Sequence, residues 1–212
     1  MSVSEAMKRE IVDGLKVSER HVTVIPNGIE EGHFYPRDRG EMRAALRLGE
    51  NLQIVLCVAR LEPVKGVEIL IRAFARLEGS HRRLVIVGDG IERERLQRTV
   101  ERLEQSGRVS LVGEKPHDEI PLWINAADLV VLPSTNEGWP NVLMESFACG
   151  KPVVATRVGG VPEIVTSPSL GVLAEPGDPD DLARALEEAL ARNWDAEVIR
   201  ARVRGRGWRV VA

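Results

Sequence analysis

Apolar residues recur along the chain in short continuous runs, separated by stretches in which apolar and charged positions follow a helical spacing. Continuous apolar runs bounded by Gly, Pro or polar residues are typical of parallel strands that are covered on both faces. The runs predict strands at 21–25, 54–58, 84–87, 109–112, 129–132, 153–155 and 172–174.

Amphipathic helices are predicted between these strands. The clearest carries an apolar stripe at spacings of three and four, formed by Val67, Leu70, Ile71, Phe74 and Leu77. Two more are predicted at 92–105 and 180–192. Residues 1–20 are interpreted as a helix that ends near Gly14, and 26–49 as a linker followed by a short helix.

Strands that alternate with helices over short connections predict one fold class: a Rossmann-like α/β fold with a doubly wound parallel sheet and right-handed crossovers. In such sheets, ligands bind in the crevice at the carboxyl ends of the strands. Candidate chemistry is therefore expected in the loops that follow the strands.

The composition limits the classes of partner that the protein is expected to bind. The chain has 212 residues, a net charge of -3 and a pI near 5.9, which argues against a general nucleic-acid or membrane-surface binder. No apolar run approaches the ~20 residues of a membrane span, and the amino terminus lacks a secretion signal. Cys57 and Cys149 lie in apolar runs and are expected to be buried thiols. We expect a cytoplasmic protein without a transmembrane segment.

The loop after strand 54–58 carries two cations, Arg60 and Lys65. A planar guanidinium and a point-charge ammonium suit a diphosphate, and a helix that starts near Gly66 adds backbone amides. The alternative is a pair of solvated loop cations, and this loop alone does not decide between them.

The loop Gly88-Asp89-Gly90 resembles the start of a dinucleotide-binding fingerprint. Arg93 occupies the place of the third glycine, and no acidic residue ends the next strand to hold a ribose. A nicotinamide-dependent dehydrogenase is therefore disfavoured, although these glycines still allow a ligand to approach the backbone.

The strongest candidate is the segment 133–152, whose loop and helix start follow strand 129–132. Pro140 favours a helix that begins there or one residue later, which leaves the next amides free to meet an anion. Those amides belong to Asn141, Val142 and Leu143. Glu137 and Glu145 flank this helix start and are able to hold sugar hydroxyls at opposite ends of one ligand. The alternative is a capping Glu137 and a surface Glu145.

Two other motifs have structural interpretations. Asp178-Pro179-Asp180 spells the D-x-D of metal-dependent sugar transfer, but its place before an apolar helix favours a helix cap. The histidines show no metal-ligand spacing, so we predict no metal site. Trp123 and Trp139 are interpreted as packing groups, with Trp139 also placed to wall a sugar pocket.

The chain resembles the carboxyl-terminal, nucleotide-sugar-binding domain of GT-B glycosyltransferase family 4. The matching segments are VIPNGIEEGHFYP (24–36), VARLEPVKGVEILIRAFARL (58–77), LVIVGDG (84–90), VSLVGEKPHDEIPLWINAADLVVLPSTNEGWPNVLMESFACGKPVVATRVGGVPEIV (109–165) and GVLAEPGDPDDLARAL (171–186). One position departs, since Ala59 stands where the family commonly has Gly.

The resemblance implies roles by position. Arg60 and Lys65 match the family's phosphate-gripping cations, whereas Glu137 matches the glutamate by the donor sugar and reacting carbon, and Glu145 the one that binds the ribose. Arg60, Lys65 and Glu137 are thus the implied catalytic residues. The amides of the helix start match those that hold the diphosphate. Further implied donor contacts are Gly88, Asp89, Gly90, Val112, Gly113, Lys115 and Gly138.

The resemblance also implies a domain division and partners. Residues 1–28 are expected to be the end of an amino-terminal domain and a hinge, 29–192 the donor-binding domain, and 193–212 a truncated helical tail. The expected partners are a nucleotide-sugar donor and a sugar, lipid or small-molecule acceptor, with peripheral membrane contact through the other domain, and with no nucleic acid, metal or cofactor. A non-catalytic nucleotide-sugar-binding module and a GT-B epimerase remain alternatives.

Overall fold

The structure is a computed structural model that describes residues 1–211, including all of their side chains except those of Arg209 and Val211. Ala212, the last residue of the predicted tail, lies outside the described residues. Six parallel strands form one sheet in the order β3-β2-β1-β4-β5-β6. They are β1 Gln53–Val58, β2 Arg82–Val87, β3 Val109–Gly113, β4 Leu129–Leu132, β5 Val153–Thr156 and β6 Gly171–Ala174.

Ten α-helices surround this sheet in the part of the chain that is described. They are α1 Glu5–Leu15, α2 Arg39–Ala45, α3 Val67–Ala75, α4 Arg93–Arg102, α5 Ile120–Ala126, α6 Asn141–Ala148, α7 Val161–Ile164, α8 Pro179–Ala191, α9 Ala196–Ala201 and α10 Trp208–Val211. The predicted doubly wound α/β fold is confirmed. None of these helices combines the length and the apolarity that crossing a membrane requires.

Two hydrophobic cores cover the two faces of the sheet. Alternate residues of β1 belong to different cores: Ile54 and Leu56 to one, Val55 and Cys57 to the other. Such alternation follows from the two-residue period of a strand. The first core is closed by α5, α6 and α7, and the second by α3, α4 and α8. The central strands are buried on both faces, which explains why their sequence runs are continuously apolar, whereas in the edge strand β3 only Val109 is fully buried.

One predicted strand is wrong. Residues 21–25 form no strand: Glu19–His21 is a single turn of 3-10 helix, and Val24 makes only an isolated bridge to Ser2. The run is apolar because Val22 is buried, but no neighbouring strand is available to continue the pairing. Short apolar runs alone do not distinguish a strand from a buried irregular segment.

The segment predicted as a linker, 26–49, is better packed than that description suggests. Ile29 and Phe34 are buried in the first core, and the predicted short helix is present as α2. Ile29 also bridges to Gly207 near the carboxyl end of the chain. The carboxyl-terminal part of the chain therefore packs against this segment.

Candidate functional site

The strand order reverses between β1 and β4, which are neighbours in the sheet although two strands separate them in sequence. In an open parallel sheet, this topological switch point leaves a crevice at the carboxyl ends of the strands. Two loops meet there, one after each strand. They are joined by a hydrogen bond of 2.8 Å from the N–H of Thr135 to the carbonyl of Val64.

A glycine permits this close approach. Gly66 has a φ of 63°, and a Cβ at its position would lie 2.1 Å from the carbonyl oxygen of Pro133. Any other residue would be both strained and in collision with the neighbouring loop. The sequence therefore allows the β1 and β4 loops to touch at the switch point.

Lys65 and Glu137 form an ion pair across these two loops, with 2.7 Å between Nζ and Oε1. The side chain of Glu137 is 9% exposed and that of Lys65 is 25% exposed. Ser134 donates a second hydrogen bond, also of 2.7 Å, to the same oxygen. In the described chain, Oε2 of Glu137 has no hydrogen-bond partner, so the cluster retains an acceptor for a ligand.

A cavity of about 460 Å³ opens at the carboxyl ends of β1, β2 and β3, and its described lining does not include Lys65 or Glu137. Its lining includes five predicted site residues: Arg60, Gly88, Asp89, Gly90 and Lys115. The Arg60 side chain is 79% exposed and pairs with Glu62 at 2.5 Å. The guanidinium thus stands at the mouth of the cavity and is free to change partner.

The glycines of the Gly88-Asp89-Gly90 turn bring backbone close to backbone. A Cβ on Gly88 would lie 1.9 Å from the carbonyl oxygen of Ala59, and one on Gly90 would lie 2.5 Å from that of Leu61. The Ala59 methyl group, which departs from the family pattern, packs partly buried against the second core. These glycines shape the cavity wall by close packing.

Two predicted contacts lie behind that wall. Val112 packs partly buried against the first core, and the carbonyl of Gly113 accepts a hydrogen bond of 2.9 Å from Gly88. Among residues 1–211, neither of them lines the cavity. Gly113 supports the turn through its bond to Gly88.

The amino end of α6 faces the switch point, as the position of Pro140 predicts. One expectation is wrong: the N–H of Leu143 is not free, because it donates to the carbonyl of Pro140 at 3.2 Å in a tight first turn. Within the described residues, the N–H groups of Asn141 and Val142 have no hydrogen-bond partner. Two amides, rather than three, are available for an anion.

Glu145 lies half-buried one turn further along α6. Burial raises the pKa of this carboxyl from its ordinary value to about 7, and the neighbouring carboxylate of Glu30 adds to the shift. A carboxyl that is desolvated and carries a shifted pKa beside a ligand crevice is a feature of functional sites.

Residues that the sequence did not single out also contribute. Asn27 donates from Nδ2 to Oδ1 of Asn141 at 2.9 Å and so ties the linker to the α6 start. Gly159 and Gly160 follow β5 and support the loop of Glu137, since a Cβ on Gly159 would lie 1.7 Å from the Glu137 carbonyl oxygen. The two consecutive glycines after a strand could have been recognised in the sequence as a site of close backbone approach. The contact of Asn27 with Asn141 could not, because no local pattern indicates it.

Asp178, Trp139, Cys57 and Cys149 have the structural environments that the sequence predicted for them. Asp178 caps α8 by accepting from the N–H groups of Asp180 and Asp181, at 2.8 and 3.0 Å. Trp139 is buried, as are Cys57 and Cys149, and burial raises the pKa of each thiol to about 12. In the described part of the chain, no group of three His, Cys, Asp or Glu side chains is arranged to hold a metal ion.

The sequence is similar to those of known glycosyltransferases. The family profile of glycosyl transferases group 1 matches residues 38–206. The chain belongs to this family. It is 35% identical over 176 residues to a D-inositol 3-phosphate glycosyltransferase from Segniliparus rotundus, a match that covers 80% of this chain and 39% of that protein.

Solved structures agree with the fold. A sucrose-phosphate synthase from Thermosynechococcus elongatus is 30% identical with a TM-score of 0.89, covering 99% of this chain and 54% of that one. The Anabaena protein HepE in complex with UDP and glucose is 27% identical with a TM-score of 0.79, covering 95% and 60%. The chain thus spans between 39% and 60% of the length of these three proteins, and its fold matches that of GT-B glycosyltransferases.

Proposed function

We propose that this chain binds a nucleoside-diphosphate sugar at the carboxyl edge of its sheet and supplies the donor-binding part of a retaining glycosyltransferase. The observation that carries the proposal is the Lys65–Glu137 pair at the switch point, beside two amides of α6 that have no hydrogen-bond partner among residues 1–211. Positive charge and a sugar-binding carboxylate lie next to each other there, as a sugar joined to a diphosphate requires.

The ligand is placed by the chemistry of each subsite. The cavity behind Arg60 takes the base, the helix start takes the diphosphate, and Glu137 takes the sugar hydroxyls. Glu145 receives the ribose hydroxyls. The complex of HepE with UDP and glucose, in a chain of similar fold, supports a donor of this class.

In the proposed step, the bond between the anomeric carbon and the diphosphate breaks. The acceptor hydroxyl attacks from the face that the diphosphate leaves, and its proton passes to an oxygen of the departing diphosphate. Lys65, Arg60 and the α6 amides offset the charge that grows on the departing diphosphate, and one such donor is worth roughly 3 kcal/mol in the transition state. Glu137 orients the sugar and stabilises positive charge at the reacting carbon. Fixed protein groups supply the positive charge, so no metal ion is part of the proposal.

The acceptor is proposed to be a sugar, a lipid or another small molecule. The matched relatives are longer than this chain. We therefore propose that the acceptor is bound mainly by residues outside the donor site described above. We also propose that residues 29–192 form a carboxyl-terminal donor domain. The proposed location of the protein is the cytoplasm.

Calorimetric titration of the chain with UDP, GDP and ADP tests the donor site. We expect one diphosphate to bind, and the matching monophosphate to bind at least about tenfold more weakly because it lacks the phosphate that meets Lys65 and α6. The monophosphate is the matched control for the base cavity. If no nucleoside diphosphate binds, the proposal fails.

A further inference from the structure

The amino end of α1 is closed by a carboxylate from a distant part of the chain. Glu163, on α7, accepts hydrogen bonds from the N–H groups of Glu5 at 3.0 Å and Ala6 at 2.8 Å, one with each oxygen. The hydroxyl of Ser4 accepts from the N–H of Met7 at 3.1 Å. The first three amides of α1 are therefore all satisfied, two of them by Glu163.

This contact lies directly beside the loop that carries Glu137. A Cβ on Gly138 would lie 2.5 Å from Cε of Met7, and a Cβ on Gly160 would lie 2.2 Å from the carbonyl oxygen of Gly138 and 3.0 Å from Cβ of Ser4. The loop is thus enclosed between α1 on one side and the glycine turn before α7 on the other. A shift of α1 would remove one of the two walls.

α7 itself is held firmly. Arg202 donates to the carbonyl oxygens of Glu163 at 2.7 Å and Ile164 at 3.0 Å. The backbone of α7 is therefore bonded to the carboxyl-terminal segment, while the side chain of Glu163 reaches in the other direction. This arrangement gives α1 a fixed point of attachment.

Two attachments hold α1 in place. One is the Glu163 contact, and the other is the segment just before the helix, where Ser2 pairs with residues 23–25 and Val3 packs against the first core. None of the residues of α1 is fully buried, so apolar packing by the helix itself contributes little to its docking. It also lies outside residues 38–206, which match the family, whereas Gly138, Gly160 and Glu163 lie inside them. The carboxylate joins a peripheral helix to the family domain at the edge of the candidate site.

We infer that Glu163 is a positioning residue, which docks α1 onto the Glu137–Gly138 loop and so sets the geometry of the sugar subsite. The inference deepens the proposed function and rests on it for the identity of the ligand. Among residues 1–211, Glu163 does not line the cavity and makes no hydrogen bond to Lys65 or Glu137, so it acts through α1 and the loop.

Two variants break the same contact from opposite sides. Glu163→Gln keeps the size of the side chain but turns one acceptor into a donor that faces an N–H group. Glu5→Pro removes one of the two donating N–H groups. Proline is favoured at the first helical position, and the preceding Ser4 is already extended, with φ -147° and ψ 159°. Glu5→Ala, which keeps the N–H, and Glu10→Gln, which changes an exposed charge on α1, are the matched controls.

Hydrogen exchange and nucleotide binding are measured on each variant of the whole chain. We expect faster exchange at 133–140 as well as at the start of α1 in both contact variants. We also expect about tenfold weaker binding of UDP-glucose, or of its guanosine or adenosine counterpart if the titration selects that nucleotide, with monophosphate binding changed by less than about twofold. The double variant should add little, because both changes break one contact.

A merely structural contact would weaken both nucleotides equally or leave exchange at 133–140 unchanged, and either result overturns the inference. If Glu163→Gln fails to fold, Glu5→Pro carries the test. The exchange measurement needs no nucleotide. Failure of the unaltered chain to bind nucleotide would therefore defeat the proposed function without deciding whether α1 positions the loop.

Discussion

Two ion pairs lie at opposite ends of the same two neighbouring strands, β1 and β4. At the amino ends, Arg43 bonds Asp128 at 2.7 Å and also donates to the carbonyls of Ala126 at 2.9 Å and Glu50 at 2.6 Å. At the carboxyl ends, Lys65 bonds Glu137. Arg43 is the more buried of the two cations, with 2% of its side chain exposed.

The difference lies in what each pair leaves unused. Asp128 also accepts from the N–H of Ile54 and from Arg39, so its carboxylate is committed to the protein. An ammonium has three donors, and Lys65 uses one of them on Glu137. Burial of charge alone thus does not mark a binding site. A better indicator of a binding site is a set of polar groups with unused donors or acceptors at the carboxyl edge of the sheet.

Removing the cation of the fully committed pair should have the largest effect on stability. We expect Arg43→Met to lower the free energy of unfolding by about 3 kcal/mol, because it leaves a part-buried carboxylate and two carbonyls without their main partner. Urea denaturation measures the loss. Arg39→Met removes the exposed partner of the same carboxylate and should cost less than about 1 kcal/mol. Equal losses for the two variants would contradict the comparison.

Removing the cation of the other pair should act on binding instead. We expect Lys65→Met to weaken nucleoside-diphosphate binding by about 10-fold to 100-fold, since a charge-assisted bond to phosphate is lost. The free energy of unfolding should fall by less than in Arg43→Met, by about 1 to 2 kcal/mol, because Glu137 keeps the hydrogen bond from Ser134 and no backbone carbonyl loses its partner. Calorimetry and urea denaturation separate the two effects.

The control for Lys65→Met is Arg72→Met, which removes a cation of α3 whose partner is Glu68. Arg72 lies outside the cavity lining, so its loss should leave nucleotide affinity unchanged. Unaltered diphosphate affinity in the Lys65 variant would remove Lys65 from the donor site.

The same comparison explains what the sequence could predict. The six strands were predictable because most of their residues are apolar and buried between the two cores, although β2 begins with Arg82 and Arg83 and β3 carries the exposed Ser110. The positions of Lys65 and Glu137 were predictable as well, since loops after parallel strands share one edge. The ion pair between them could not be predicted from the residues alone, because Lys65 and Glu137 lie 72 residues apart in the sequence.

Other features depended on distant contacts and left little local signal. Arg43 lies on a short charged helix and resembles a surface residue in sequence, yet it is buried against residues more than 80 positions away. The bond from Leu143 to Pro140 reflects the tightness of one turn, which composition does not specify. The Glu163 contact with α1 joins segments about 157 residues apart.

The raised pKa of Glu145 predicts how the stability of the protein depends on pH. Its pKa of about 7 in the folded protein exceeds the ordinary value of 4.5, so the folded state holds this proton more tightly than the unfolded chain between those values. Stability from this group is therefore present below about pH 4.5 and lost as the pH rises to about 7.

We accordingly expect Glu145→Gln, which cannot ionise, to be more stable than the unaltered chain at pH 8. The gain should be on the order of 2 kcal/mol after allowance for partial exposure, and should vanish near pH 4.5. Thermal or urea unfolding at the two pH values measures it. Glu30→Gln should give a smaller gain, because Glu30 is the lesser cause of the shift. A gain that does not depend on pH would contradict a desolvated carboxyl at this position.

The smallest effect concerns a carboxylate that only resembles a functional one. Asp178 accepts from two amides at the start of α8, in the way that Glu163 does for α1, but both amides belong to its own helix. Asp178→Ala should lower the free energy of unfolding by about 1 kcal/mol, the usual worth of an N-cap, and Asp178→Asn should largely restore it. Nucleotide affinity should remain unchanged in both variants, with and without added Mg²⁺ or Mn²⁺. Since capping is local, its loss frays one helix end on the far side of the second core, whereas a weakened nucleotide affinity would place the D-x-D motif in the donor site.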